Sequence, residues 1–372
     1  MSLQGRATPS GTARYRERFK ESASEKHFRL EQGLWLSSIG LGTYLGRWDD
    51  ETDRAYTEAI ARAVELGANV IDTAANYRFQ RSERSIGAAL RELADGGSSA
   101  RDELIICTKG GYLPFDGQPP KDARRYVEET FVRTGIASFS DIVAGSHCMT
   151  PRYLESQIEQ SLDNLGLETL DVYYVHNPES QLQEVSREEF EERTARAFEL
   201  FEQMRAAGKI SMYGAATWNG FRAAPDAREH LSIERMATLA RSVGGDAHGF
   251  RFVQLPFNLA MPEALVSQNQ TLNGERVSLL KAAAALGITV VASASILQGK
   301  VARNLPDEVR EPLGALSTDA QTAIQFVRST PGIATALVGM SRIAHVEENL
   351  QLARLAPASP EDYQRLFKNS DA

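Results

Sequence analysis

The stretch SLDNLGLETLDVYYVHNPE, residues 161–179, contains a complete change from one secondary structure to another. Its start closes an amphipathic segment, Pro151–Leu165, and Gly166 stands just past the last apolar position, where helices commonly stop. Leu170–His176 is then a short apolar run that reads as a buried strand ending on a histidine. The same pattern recurs along the chain. The runs IGLGTY (39–44), NVIDTA (69–74), LIICTK (104–109), ISMYGAA (210–216), FVQLPF (252–257), TVVASA (289–294) and ATALVG (334–339) bring the strands to eight. Helical segments such as 53–66, 83–93, 187–207 and 274–286 lie between them. Eight strand–helix units predict an α/β fold, a (β/α)8 TIM barrel. FRLEQGLWL (28–36), centred near Gly33, predicts a β-hairpin ahead of it.

Outside these units the organisation is simple. Residues 1–27 are polar and rich in arginine and serine, and are expected to be an extension, flexible or docked on the surface, before a single barrel domain over 28–372. Two connections, 110–150 and 258–273, are too long for plain strand-to-helix loops. Both follow a strand and so belong to the C-terminal mouth, where barrels do their chemistry; the insertion at about 110–149 is expected to form a lid or pocket wall.

Composition narrows the function. With 42% hydrophobic and 24% charged residues the 372-residue chain is globular, and a net charge of −8 argues against a nucleic-acid-binding surface. No run approaches the ~18 apolar residues of a membrane-spanning helix. Cys107 and Cys148 are too few and too far apart for a disulfide framework, which points to a reducing compartment, the cytoplasm. His27, His147, His230, His248 and His345 have no metal-ligand spacing, so no metal site is expected.

Three strands end on polar residues that share one rim: Asp72, Lys109 and His176, with Tyr77 in the loop after Asp72. Together they suit proton transfer. A tyrosine hydroxyl titrates near 10 in water, and an ammonium beside it is expected to lower that value. Asp72 would keep Lys109 charged, and His176 would hydrogen-bond a carbonyl oxygen. Tyr173, Tyr174, Phe252 and Phe257 read as packing residues. GLGTYLG (40–46) imitates a dinucleotide fingerprint, but its spacing is GxGxxxG and a polar stretch separates it from the next helix, so a Rossmann domain is not expected.

The motifs GLGT (40–43), NVIDTAANY (69–77), CTKGG (107–111), residues 161–179, VQLPFN (253–258) and VGMSRIAHVEEN (338–349) resemble the aldo/keto reductases, in order, from about residue 28 to 352. The resemblance implies that Asp72, Tyr77, Lys109 and His176 are a catalytic tetrad on a barrel that binds NADP(H) in extended form. It also implies cofactor contacts at Gly42, Thr43, Thr217, Gln254, Ser293, Ile296, Gln298, Gly299, Arg342, Glu348 and Asn349. Ala216 and Thr217 stand where many members have Ser–Asn, and Ser293 stands where an aromatic residue usually faces the nicotinamide; Phe257 and Trp218 are the candidate replacements. Arg342 is the one obvious cation for a 2′-phosphate, so NADPH/NADP+ is favoured and NADH/NAD+ stays open. Tyr44, Trp48, Tyr112 and Trp218 are the candidate substrate contacts.

The activity implied is interconversion of aldehydes or ketones, sugars among them, with alcohols, Tyr77 acting as general acid/base. Two rivals are an aldose dehydrogenase oxidising sugar hemiacetals and a nucleotide-sensing regulatory subunit. The second has no use for a buried Lys–Asp pair beside a tyrosine. Composition and motifs leave the oligomeric state open.

Overall fold

In the computed structural model, which describes residues 2–368, an antiparallel hairpin of β1 (Phe28–Glu31) and β2 (Leu34–Ser37) precedes a closed barrel. The barrel strands are β3 (Ile39–Gly42), β4 (Val70–Asp72), β5 (Ile105–Gly110), β6 (Leu170–His176), β7 (Ile210–Ala216) and β8 (Phe250–Pro256). After a small hairpin of β9 (Gln270–Leu272) and β10 (Glu275–Val277), strands β11 (Thr289–Ser293) and β12 (Ile333–Gly339) complete it. All eight pair in parallel, and β12 closes on β3. Both the TIM barrel and its leading hairpin are therefore as the sequence predicts. Each barrel strand is followed by a helix that packs on the outside, from Asp50–Glu65 after β3 to Ile343–Leu350 after β12. No described helix is long and apolar enough to cross a membrane.

Two hydrophobic layers hold the barrel. The outer one lies between strands and helices; the inner one fills the lumen with Val70, Ile105, Cys107, Val172, Tyr174, Phe252 and Val291. Leu34 and Leu36 of the leading hairpin join the inner layer and plug the N-terminal end. Gly166 ends the helix Pro151–Leu165 with φ 65°, a left-handed turn that a side chain would oppose.

Residues 2–27 are docked. Thr8 caps the helix Pro9–Arg18, Tyr15 is fully buried with its hydroxyl on Val64 O at 2.5 Å, and the Ala7 N–H donates to Asp171 at 2.7 Å. Polar composition hid this because the buried contacts rest on a few residues, Ala7, Thr12 and Tyr15, set among exposed ones.

The first long connection folds back on the mouth. It holds a short helix Ala123–Val127 that runs into a wider turn over Glu128–Val132, and it returns to pair Cys148 N–H with Gly111 O at 2.8 Å. The second contains the helix Glu263–Val266 and the β9–β10 hairpin. The helix expected over 274–286 is accordingly shorter, Leu279–Ala285, because Ser278 caps it and residues 275–277 pair in the hairpin instead.

Candidate active site

Strand parity decides which side chains meet. Residues two apart face the same way, and below each polar strand end stands a lumen residue: Val70 below Asp72, Ile105 and Cys107 below Lys109, Val172 and Tyr174 below His176. The apolar register that packs the lumen thus aims three polar groups into its mouth. Neighbouring register staggers them by two residues per strand, with Asp72 beside Cys107 and Lys109 beside Tyr174, and the long Lys109 side chain still reaches Asp72.

There the Lys109 ammonium contacts Asp72 Oδ1 at 2.5 Å and Thr73 O at 2.7 Å, and lies 5.1 Å from the centre of the Tyr77 ring. Asp72 Oδ2 accepts from Gln254 Nε2 at 2.8 Å. The His176 ring stands edge-on to Tyr77 at 5.7 Å, and Tyr44 covers another side of Tyr77 at 5.0 Å. Lys109 and Asp72 are both buried. Removing one partner of such a pair would strand the other charge, at a cost of about 3–5 kcal/mol.

Burial opposes the Lys109 charge, but Asp72 and Tyr77 outweigh it and hold its pKa above the usual lysine value. Burial also lifts the Asp72 carboxyl against the pull of Lys109. At Tyr77 burial is the largest influence and Lys109 the next, and the hydroxyl ends above its ordinary value of 10.0. That reverses the expected lowering: Lys109 does favour the phenolate, but desolvation of the phenolate costs more. Tyr77 therefore keeps its proton at neutral pH. Burial, then Lys109 and His147, push His176 well below the ordinary histidine value, so its imidazole is neutral. Its Nδ1 is buried without a partner, which leaves Nε2 to serve the mouth.

A cavity of about 390 Å³ opens above these groups. Asp72, Tyr77 and His176 line it, as do Gly42, Thr43, Thr217, Gln254, Ser293, Ile296, Gln298 and Gly299. Lys109 lies beneath, reaching the cavity through Tyr77. Among the rim aromatics, Tyr44 and Trp218 line it. Tyr112 instead faces a neighbouring cavity of about 410 Å³ that shares Asn177 and Trp218. Trp48 faces neither, because it packs edge-on against Phe79 at 5.3 Å. Phe257 is no substitute for an aromatic face at Ser293: it is fully buried and stacks on Phe326 at 5.6 Å. Trp218 is exposed to the cavity and keeps that possibility.

At the far end Ser341 and His345 line the cavity, while Arg342, exposed at the start of the helix Ile343–Leu350, stands just outside it. Glu348 is engaged by Thr318 at 2.7 Å. Asn349 is buried, and its Oδ1 has no partner; the same holds for Thr217 Oγ1 at the tetrad end. Gln254 gives one amide N–H to Asp72, which leaves its Oε1 and its second N–H for a ligand. Asn177, Leu45 and Ser295 also line the cavity and were missed. Asn177 had a signal: it directly follows the polar strand end His176.

The comparisons bear on the fold and the family. The family described as "Aldo/keto reductase family" matches residues 38–239. Aldo-keto reductase YhdN of Bacillus subtilis is 27% identical over 232 residues, 62% of this chain and 52% of that one. The NADH-specific methylglyoxal reductase of Escherichia coli is 28% identical over 191 residues, 49% of each chain. The chain thus spans about half the length of these relatives. The crystal structure of an aldo/keto reductase from Klebsiella pneumoniae in complex with NADP and acetate shares the fold, with a TM-score of 0.61 over 92% of this chain and 94% of that one at 19% identity. With its family match across more than half the sequence and the barrel described above, this chain belongs to the aldo/keto reductase family.

Proposed function

We infer that the chain is an NAD(P)(H)-dependent oxidoreductase that interconverts aldehydes or ketones with alcohols. One observation carries the reading: a buried Asp72–Lys109 ion pair ends against the ring of Tyr77, with a neutral His176 at its edge, at the mouth of a cavity large enough for a small carbonyl compound beside a ligand.

When bound, the nicotinamide dinucleotide supplies hydride to the carbonyl carbon or takes it back. The rest falls to the side chains. His176 Nε2 donates a hydrogen bond to the carbonyl oxygen and orients it. Tyr77 transfers its proton to that oxygen as negative charge builds there, and the phenolate left behind faces the Lys109 ammonium. Asp72 keeps that ammonium protonated, and the phenolate regains its proton from water after release. In the oxidative direction Tyr77 accepts the proton instead.

The residues present fit a dinucleotide. Thr217 lines the cavity and its Oγ1 is a buried polar atom without a partner, suited to a polar group of a ligand, whereas Glu348 and Asn349, expected as contacts, do not line it. NADPH is the favoured form, because Arg342 makes no ion pair among the described residues and a neighbour of the same fold holds NADP. NADH stays within the proposal, since one relative is named as specific for it. Tyr44 and Trp218 offer aromatic faces to the substrate.

The test is a fluorescence titration with NADPH and NADH, followed by turnover against a panel of aldehydes, ketones and sugars. Binding on the order of micromolar and substrate-dependent NADPH consumption are expected. Binding of neither cofactor would overturn the reading.

A further inference from the structure

The insertion after β5 brings to the tetrad a buried histidine for which the chemistry above has no use. His147 is fully buried. Its Nε2 bonds to the backbone carbonyl oxygen of His176 at 2.7 Å, and its Nδ1 to Gln181 Nε2 at 2.8 Å. Gln181 is itself oriented, because its Oε1 accepts from Arg193 Nη1 at 2.5 Å and Arg193 is paired with Glu189 at 2.6 Å. Turning the amide over would set its NH2 against a guanidinium. Gln181 therefore presents a donor to Nδ1, and the network assigns His147 the tautomer with hydrogen on Nε2.

The carbonyl that receives this hydrogen bond occupies a special place. It belongs to the peptide between His176 and Asn177, and Asn177 has φ 46°, a left-handed conformation that asparagine tolerates better than most residues other than glycine. The N–H of the same peptide donates to Ala216 O at 2.6 Å. Both polar groups of that peptide are thus clamped, which fixes the backbone torsion that aims the His176 ring. The Tyr112 ring fits between the two histidines, edge-on and 5.1 Å from each. Gly111, with φ 139°, passes so close that a Cβ there would stand 2.9 Å from His147 Nε2 and 3.1 Å from His176 O. Only a bare backbone leaves room for the bond.

We propose that His147 is a positioning residue for His176: delivered by the insertion and locked by Gln181 and Arg193, it holds the sharp turn after β6 and so the aim of the imidazole. Burial lowers the His147 pKa to about 4, which keeps the ring a neutral donor at physiological pH. The predicted effect on rate rests on the function proposed above; the predicted effect on the His176 ring does not.

Two variants separate a hydrogen bond from bulk: His147→Gln, whose amide can donate to the same carbonyl, and His147→Leu, which cannot. In histidine-labelled protein the His176 ring 15N and 13C resonances are expected to move in the leucine variant and to stay near wild type in the glutamine variant. In parallel, kcat is expected to fall about tenfold to a hundredfold in the leucine variant, with little change in KM, and to recover largely in the glutamine variant. Unmoved His176 resonances in the leucine variant, or a glutamine variant as impaired as the leucine one, would overturn the proposal. A wild-type protein that turns over no carbonyl substrate would sink the catalytic reading and leave the resonances to decide this one. Should the leucine variant not fold, Gln181→Met tests the lock: His147 nitrogen shifts are expected to show mixed tautomers, and a single Nε2–H form would refute it.

Discussion

The two ends of the cavity are built differently. Around Tyr77 the charged groups are answered within the protein: Lys109 by Asp72 and Thr73, Asp72 also by Gln254. Within residues 341–349 Arg342 is exposed and without an ion pair among the described residues, and Asn349 keeps a buried oxygen unmatched. At one end the charges are paired before any ligand arrives, while at the other the Arg342 charge is left for a ligand to answer. Damage at the first should therefore reach stability and turnover together, and damage at the second should reach cofactor affinity alone.

Lys109→Met gives the largest effect. It strands Asp72 in a buried site, and is expected to lower stability by about 3–5 kcal/mol in denaturant unfolding. It should also lower kcat by roughly 10²- to 10⁴-fold. A variant with lost turnover and full stability would break the claim that this pair serves both.

The same end can be probed by pH. In the proposed mechanism reduction needs a protonated Tyr77, whose pKa is raised above 10.0, so kcat for reduction should hold through neutral pH and fall only as pH rises beyond about 10. His176 is neutral, because its folded pKa lies well below 6.5, so no loss is expected as pH falls through 6.5. Stability behaves otherwise. His27, buried between Ser38 and Gly67, has its pKa lowered from 6.5 to about 3. A depressed histidine binds its proton more readily when unfolded, so its contribution is present above 6.5 and is lost as pH falls toward 3. Melting temperatures across that window should decline, and His27→Gln should flatten the decline.

At the far end Arg342→Ala should weaken NADPH by about tenfold, the worth of one charge-assisted contact, and leave NADH unchanged. Equal loss for both would show that Arg342 does not read the phosphate. The smallest effect belongs to Ser293→Tyr. An added aromatic face there should tighten either cofactor by about 1 kcal/mol, readable in the same fluorescence titration.

Much of the barrel was legible because it is written in local periodicity. Each lumen strand shows its apolar run directly, and the polar residue two positions above the last lumen side chain marks the mouth. The family motifs then put Asp72, Tyr77, Lys109 and His176 in one neighbourhood, where strand register does bring them. What was not legible depends on depth or on distant partners. The sign of the Tyr77 shift turns on how completely its hydroxyl is desolvated, which spacing alone does not reveal. Phe257 resembles a ring available for stacking until Phe326, far along the chain, is seen to cover it. The β9–β10 hairpin replaces a helical start because Gln270 and Val277 meet across a tight turn. His147 had no motif at all, since its partners lie 29 and 34 residues away.

The central claim is that Tyr77 moves the proton. Its most direct test is a single turnover in which protein saturated with NADPH is mixed with an accepted aldehyde and the loss of reduced cofactor is followed, for wild type and for Tyr77→Phe. The account predicts that the variant binds NADPH as tightly as wild type while its transient slows by roughly 10²- to 10⁴-fold. A Tyr77→Phe transient as fast as wild type would contradict it.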